Sequence, residues 1–215
     1  YQEMVISHQK LMESERRYRL ITEATNDAIW EEKNNHRKFS ARWYEITGYT
    51  REDVETLNGW EALIHPEDRD AIQRIISEHK KNKTPFYQCE YRLKTKDGKY
   101  KWIQERGKAS FDEKGATYYL VGSHTDITEV KAYEQKLQHL AYHDQLTGLK
   151  NRNAFTHTLS DLMDQEHPKK IGLLYVDIDN FKYINDSMGH TFGDQVLKEI
   201  GKRLTKFQNE HISIY

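Results

Sequence analysis

The spacing of apolar residues changes along the chain, and each spacing predicts a different element. Residues 1 to about 20 hold strong helix formers without Gly or Pro, and Met4, Leu11 and Tyr18 recur every seven positions. This predicts an N-terminal helix, with either a heptad seam or a solvated amphipathic face. From Ile21 the texture changes. "DAIWEEK" predicts a short strand, "SARWYEITGYT" a helical turn closed at Gly48, and "REDVETL" a second short helix. "HPEDRDAIQRIISEHKKNK" predicts a longer helix, with Pro66 in the first turn, Glu67 and Asp68 at the positive end of the dipole, and Lys80, Lys81 and Lys83 at the negative end. Ile72, Ile75 and Ile76 supply its buried face. The period then drops to two: Tyr87, Cys89, Tyr91 and Leu93 alternate with Gln88, Glu90 and Arg92. Asp97-Gly98 and "DEKG" are turn signals that lead into "KYKWIQERGKASF" and "ATYYLVGSHTDIT". The expectation is an antiparallel sheet with helices inserted before its last three strands, one face buried, and a pocket between that face and the helices.

Helical spacing returns in "DITEVKAYEQKLQHLAYHD", where Val130, Tyr133, Leu137 and Leu140 have the a/d spacing of a short coiled-coil seam. A single helix packed on its own domain explains the same spacing. Asp144 is placed to cap, Thr147 and Gly148 to turn, and "NRNAFTHTLSDLMDQ" to form a helix through Phe155, Leu159, Leu162 and Met163. Pro168 ends it, and the run "KIGLLYVDID" predicts a strand covered on both faces, central in an α/β sheet. "QVLKEIGKRLTKF" closes the chain as a helix with Val196, Leu197, Ile200 and Leu204 on its apolar face.

Candidate chemistry collects where that apolar run ends. Asp177 and Asp179 are two apart, so in a strand they share a side, and ligands of open sheets collect beyond the carboxyl ends of strands. Carboxylates there suit a hard cation carrying nucleotide phosphates, and Lys182 suits a phosphate oxygen. Asn185 donates and accepts while Asp194 only accepts, which together match the edge of a guanine. Gly189 and Gly193 allow tight backbone around them. The plainer readings are that Asp179 and Asp194 are N-caps of the helices that follow them.

Composition narrows the picture. Charged residues make up 31% and hydrophobic ones 36%, which favours two modest cores over one large core. A net charge of −1 gives no global basic surface for nucleic acid or an anionic membrane. Cys89 is the only cysteine, so no internal disulfide and no C-x-x-C pair exist, as suits a reducing cytoplasm. No apolar run spans a bilayer and no signal-peptide pattern opens the chain. Because it begins at Tyr1, it is expected to be a piece of a longer protein whose anchors, if any, lie elsewhere. His139 and His143, four apart on a helix, are a conceivable metal grip without a third ligand in pattern. His79, at a helix C-terminus, reads as solvated and dipole-stabilised rather than as a haem ligand. Tyr87, Tyr91, Trp102, Tyr118 and Tyr119 read as core rather than as a cofactor box.

In order, "FSARWYEITGY", "HPEDR", "EYRLKTKDGKYKWI" and "GSHTDITEVKAYEQKL" resemble a PAS sensor domain with its C-terminal PAC segment, over roughly residues 18–127. The resemblance implies a sensing or dimerising module whose ligand is unknown and which need hold none. Cys89 lies in a strand, outside the N-C-R-F-L-Q context of flavin-binding relatives. D-x-L-T-G-L-x-N-R followed by V-D-I-D-x-F-K-x-I-N-D-x-x-G-H-x-x-G-D-x-x-L resembles the first part of a GGDEF domain, the diguanylate cyclase family that condenses two GTP into cyclic di-GMP. That resemblance implies Mg²⁺ (or Mn²⁺) on Asp177 and the Ile178 carbonyl, and GTP on Asn185, His190 and Asp194. It also implies phosphates beside the Asn180 and Phe181 backbone, and Lys182 as the catalytic cation.

The fold class expected is therefore α+β: a PAS five-stranded antiparallel sheet with flanking helices, a helical linker, and a truncated α/β GGDEF domain. Expected boundaries are 1–17 for an N-terminal signalling helix, 18–126 for PAS/PAC, 127–143 for the linker and 144–215 for GGDEF. The family's G-G-[DE]-E-F hairpin does not occur in the sequence, and Arg203 is followed three positions later by Lys206 rather than by the Asp of an inhibitory R-x-x-D. The chain by itself is expected to be inactive and to belong to a PAS-regulated, homodimeric, cytoplasmic cyclase. The alternative is a sensory or interaction module with a degenerate GGDEF part, ahead of a phosphodiesterase domain in some relatives. A histidine kinase is disfavoured, since no glycine-rich ATP-binding stretch follows.

Overall fold

The computed structural model describes residues 8–9, 12–14, 16–17, 20, 24–33, 36–57, 59–82, 84–113, 115–164 and 170–215. The heptad Met4, Leu11 and Tyr18, and also Lys83 and Pro168, lie outside the described residues. The chain forms two compact units, Tyr1–Lys131 and Ala132–Tyr215.

In the first unit a five-stranded, fully antiparallel sheet has the order β2-β1-β5-β4-β3. Its strands are β1 (Ala28–Lys33), β2 (His36–Phe39), β3 (Tyr87–Lys94), β4 (Tyr100–Phe111) and β5 (Thr117–Asp126). Helices α1 (Ala41–Thr47) and α2 (Arg51–Thr56), a 3-10 turn (Trp60–Leu63) and α3 (Pro66–Asn82) all lie between β2 and β3 in sequence. The period-two reading of β3 holds: Tyr87, Cys89, Tyr91 and Leu93 are buried while Gln88 and Glu90 are exposed. Gly48 ends α1 with φ 77° in the left-handed region, as the sequence expected. Thr50 and Asp53 cap α2 reciprocally. Trp30, Trp43, Trp60, Leu63, Ile64 and Ile72 fill the space between sheet and helices, and Ile75 and Ile76 pack on its edge. Gly122 stands opposite Trp30 in the β1–β5 ladder. A Cβ there would run into the Trp30 indole and the Arg106 carbonyl, so the ring needs a glycine beneath it.

The acidic start of α3 does more than complement the dipole. The Arg92 guanidinium on β3 donates to both Asp68 oxygens, at 3.0 and 2.7 Å, and to Glu67 at 2.8 Å, clamping the helix start to the sheet. This holds both carboxyls below their ordinary range.

Two expectations about this unit fail. His79 is not solvated: it is 2% exposed, and both ring nitrogens are engaged. Nε2 accepts from the Ala109 N–H at 3.0 Å, which puts the proton on Nδ1, 2.6 Å from Thr84 Oγ1. The aromatic residues of the strands also do not all join the core, because side chains alternate across a sheet. Tyr87 and Tyr91 are core, but Tyr118 is exposed and Trp102 and Tyr119 are half-buried.

Burial, with Lys80 nearby, pushes His79 below its ordinary value of 6.5. The unfolded chain therefore binds the proton first. The contribution of His79 to stability is complete above pH 6.5 and is lost as pH falls through the folded-state value. His79→Gln, whose amide oxygen accepts from Ala109 without titrating, is expected to remove this slope from urea-unfolding stability measured against pH. His124, likewise buried and lowered, keeps a slope of the same sign, so an undiminished slope in His79→Gln would show that His79 does not contribute to it.

α4 (Thr128–Tyr142) starts in the first unit, fastened there to the sheet. Thr128 Oγ1 accepts from the Trp102 N–H at 3.0 Å, and the Lys131 ammonium meets Glu90 at 2.7 Å. Val130, Tyr133, Leu137 and Leu140 are 53, 66, 66 and 42% exposed.

The second unit contains the rest of α4, then α5 (Arg152–Met163), α6 (Phe181–Met188) and α7 (His190–Thr205). The run expected as a covered strand is not one. Residues 171–178 join no ladder, and Leu173, Leu174, Tyr175 and Val176 are 71, 85, 91 and 67% exposed. The physical reason is pairing: a strand needs a neighbour for its N–H and C=O groups, and among the described residues of this unit no other strand exists.

Candidate functional site

Short-range bonds build the scaffold of the second unit. Asp144 Oδ1 accepts from the N–H groups of Leu146 and Thr147 and from the Thr147 hydroxyl, at 3.1, 2.8 and 2.8 Å. These bonds hold the carboxyl below its ordinary range. Gly148 completes the turn with φ 76°. Asn151 caps α5 by accepting from the Ala154 N–H, and its amide donates to the Ala141 carbonyl at 3.0 Å. Gly201 of α7 is buried against Thr147 and Leu149, where a Cβ would stand 3.2 Å from Thr147 Cβ. The motif D-x-L-T-G-L-x-N-R is thus a turn that ties α4 to α5 and receives α7.

α6 and α7 are joined through Gly189 alone, at φ 83°, which ends one helix and begins the other. This overturns the capping roles read from sequence. Asn180, not Asp179, occupies the N-cap position of α6, in the left-handed region at φ 59° and without a side-chain cap bond. α7 begins at His190, so Asp194 lies within the helix rather than capping it. The tight corner brings the two helices together at Gly193, which is buried, with Phe181 Cζ 3.2 Å from where a Cβ would be. The Asn185 side-chain amide lies closer still. Asn185 is thereby set beside the residue that precedes Asp194. His190 and Asp194 are one turn apart on α7.

Asp177, Asp179, Asn180, Lys182, His190 and Asp194 are exposed, and Ile178, Phe181 and Asn185 are half-buried. Asp177 and the Ile178 carbonyl offer adjacent hard oxygens, the donor chemistry that suits Mg²⁺ with retained waters. Among the described residues no three His, Cys, Asp or Glu side chains converge as a closed metal centre. An open groove of about 450 Å³ in this unit lies elsewhere, lined by His139, Tyr142, His143 and Lys150 and by Ala154 and His157 of α5.

The first unit hides a polar constellation that the sequence reading missed. Glu105 is 0% exposed and has four partners. Its Oε1 accepts from the Tyr87 hydroxyl at 2.7 Å and Arg37 at 3.2 Å, and its Oε2 from the Tyr91 hydroxyl at 2.7 Å and His124 Nε2 at 3.2 Å. Burial works against its charge, but His124, Arg37 and Tyr87 outweigh it and hold the carboxyl down at about 2. Burial pushes His124 below its ordinary range, against the pull of the Glu105 charge beside it. The Arg37 guanidinium also donates to Glu32 at 3.0 Å. It lies between two indoles, 3.8 Å from the Trp30 ring and 4.0 Å from the Trp60 ring. Cys89 is next in register to Glu105, and burial with that charge raises its thiol to about 12, leaving it protonated and inert. The available signal was the phase of β4: with Ile103 inward, Glu105 must face inward too.

Comparison with known proteins agrees with both halves. Residues 36–124 match the PAS fold family model, and residues 141–213 match that of the diguanylate cyclase GGDEF domain. Protein y4lL of Sinorhizobium fredii is 35% identical over 207 residues, 92% of this chain and 25% of that protein. Diguanylate cyclase DgcN of Escherichia coli is 49% identical over 79 residues, 36% of this chain and 19% of the other. Cyclic di-GMP phosphodiesterase PdeR of Escherichia coli is 43% identical over 82 residues, 38% of this chain and 12% of the other. The chain spans a quarter or less of the length of these relatives. No helix among the described residues is long and apolar enough to cross a membrane. Residues 36–124, which hold most of the five-stranded antiparallel sheet, thus belong to the PAS fold family, and residues 141–213, with the D-x-L-T-G-L and V-D-I-D segments, to the diguanylate cyclase GGDEF domain family.

Proposed function

We propose that the chain is the sensory and nucleotide-binding segment of a PAS-regulated diguanylate cyclase, which joins two GTP into cyclic di-GMP with release of pyrophosphate. The observation that carries this reading is the α6–Gly189–α7 corner, which sets the Asn185 amide beside Gly193 and so next to Asp194. Asn185 and Asp194 would then share one guanine edge. The Asn180 and Phe181 backbone, at the N-terminus of α6, would face phosphate oxygens. His190, a turn before Asp194, would contact the nucleotide, and Lys182 would stabilise the charge that builds on the transferring phosphate. Asp177 and the Ile178 carbonyl would hold Mg²⁺, whose chemistry when bound is to neutralise the triphosphate and lower the pKa of the attacking hydroxyl.

Each subunit binds one GTP in this reading, so a homodimer is needed, and the exposed stripe on α4 supports one. We place the domains at 1–17, 18–126, 127–143 and 144–215, and the protein in the cytoplasm, where GTP is. The test is to incubate the protein containing this segment with GTP and Mg²⁺. Cyclic di-GMP is expected, and its absence under every dimerising condition would eliminate the cyclase. The likeness to PdeR favours a second reading, in which the same segment serves as a noncatalytic module; GTP binding without turnover would select it.

Gly193→Ala should act through Asn185. The added methyl has to displace the amide, so GTP affinity is expected to fall about tenfold or more, about as far as in Asn185→Ala, by isothermal titration. A variant that binds GTP normally would separate the corner from guanine recognition.

A further inference from the structure

The guanidinium of Arg37 is held as a ligand is held. Indoles cover both of its faces, and carboxylates from Glu32 and Glu105 meet its edges. Together these make a cage for a planar organic cation. The cage walls and the cation come from different places. Trp30 and Glu32 stand on β1, Trp60 on the 3-10 turn and Glu105 on β4, all inside the fold. Arg37 enters from β2, four residues long, at the edge of the sheet and paired to β1 alone. The filler can therefore leave without dismantling the walls.

Arg37 also leaves the interior incompletely satisfied. The indole N–H groups of Trp30, Trp43 and Trp60 and the Nδ1 of His124 are buried and make no hydrogen bond to protein. Two of these indoles, Trp30 and Trp60, are the cage walls themselves, and the His124 ring centre lies 6.1 Å from that of Trp30 and 6.0 Å from that of Trp60. An ion pair serving stability alone gains nothing from such neighbours, since apolar packing does as well. A molecule that adds an oxygen acceptor to its cation can use what Arg37 cannot.

We propose that the interior of the sensor domain is a recognition site for a small guanidino compound, and that Arg37 is a tethered ligand that occupies it until a free one competes. The tether gives Arg37 an effective concentration in the millimolar range. A bare guanidinium must therefore compete at millimolar levels, whereas one bearing a carboxylate gains the indole donors and competes at lower levels.

The test uses the whole chain and Arg37→Ala, with methylguanidinium and 4-guanidinobutyrate as probes. In the variant both are expected to change tryptophan emission saturably and to raise the thermal midpoint. At about 100 times the Kd the folded-to-unfolded ratio should rise about 100-fold. Urea, tetramethylammonium and sodium chloride at equal concentration should do neither. The carboxylate probe should bind about tenfold tighter, and wild type should respond to both more weakly than the variant. If Arg37→Ala does not fold, Arg37→Met, which keeps the stem without the charge, takes its place. If neither folds, the wild-type titration decides alone. Absence of a saturable response, or an equal response to tetramethylammonium, overturns the site. Rescue of the variant with a silent wild type overturns displacement and makes Arg37 a permanent part of the core.

Discussion

Glu105→Ala is expected to destabilise the sensor domain by about 3–5 kcal/mol, more than the loss of any one of the four groups that donate to it. The carboxylate is fully buried and is the common acceptor for Arg37, Tyr87, Tyr91 and His124. Removing it leaves a buried guanidinium with Glu32 as its only carboxylate, and two hydroxyls without their acceptor. A loss of this size should lower the thermal midpoint by more than about 10 °C. Glu105→Gln separates charge from shape. Its amide keeps an acceptor for one tyrosine but cannot balance Arg37, so an intermediate loss is expected.

The wild-type pH profile offers an independent check. Glu105 sits at about 2 in the folded chain against an ordinary 4.5, so its contribution is complete above pH 4.5 and is lost as pH falls towards 2. That acid limb should flatten in Glu105→Gln. Unchanged stability in Glu105→Ala, or an unchanged limb in Glu105→Gln, would show that the network does not hold the core.

The second large effect concerns activity and rests on the proposed function. Asp177→Ala, in the protein containing this segment, is expected to lower the rate of cyclic di-GMP formation about 10²–10⁴-fold. A metal at the transferring phosphate is worth several kcal/mol of transition-state stabilisation, and in the proposed site Asp177 would supply its carboxylate ligand from this segment. Asp179→Ala is the control. Both aspartates are exposed, and Asp179 lies in the turn before Asn180. A loss confined to Asp177→Ala, deepening at low Mg²⁺, fits the metal role. Equal losses in the two variants would mean that the acidic pair acts through charge alone.

Legibility differed sharply between the two units. Most of the sensor fold could be read from the sequence, because period-two alternation in "YQCEYRLK", the turn at Asp97-Gly98 and the acidic start of α3 are local signals that the structure repeats. β2 was the exception. "HRKF" is short and charged, and its pairing with β1 is a partner's property rather than its own. His79 was misread for a related reason: a helix C-terminus is polar by position, but this one is covered by β4, whose Ala109 N–H needs an acceptor.

In the second unit the candidate residues stood out by type and order, but their geometry did not. Asp179 and Asp194 looked like caps because each precedes a helical pattern, yet Asn180 and Gly189 take those positions through positive φ, which spacing does not reveal. The apolar run at 171–178 shows the limit most clearly. Its composition is that of a buried strand, but a strand exists only when another chain segment accepts and donates its hydrogen bonds.

The order of residues by itself determined the start of α3, the inward side of β3 and the turn at Asp97-Gly98, and which motifs match the PAS and GGDEF families. Backbone sterics and side-chain alternation act over a few residues, and a sequence displays them directly. Only the tertiary structure decided that Arg37, Glu105 and His124 meet in the core and that Asn185 rests on Gly193. Those contacts join residues from separate elements, and their strength comes from the exclusion of water that packing alone brings about.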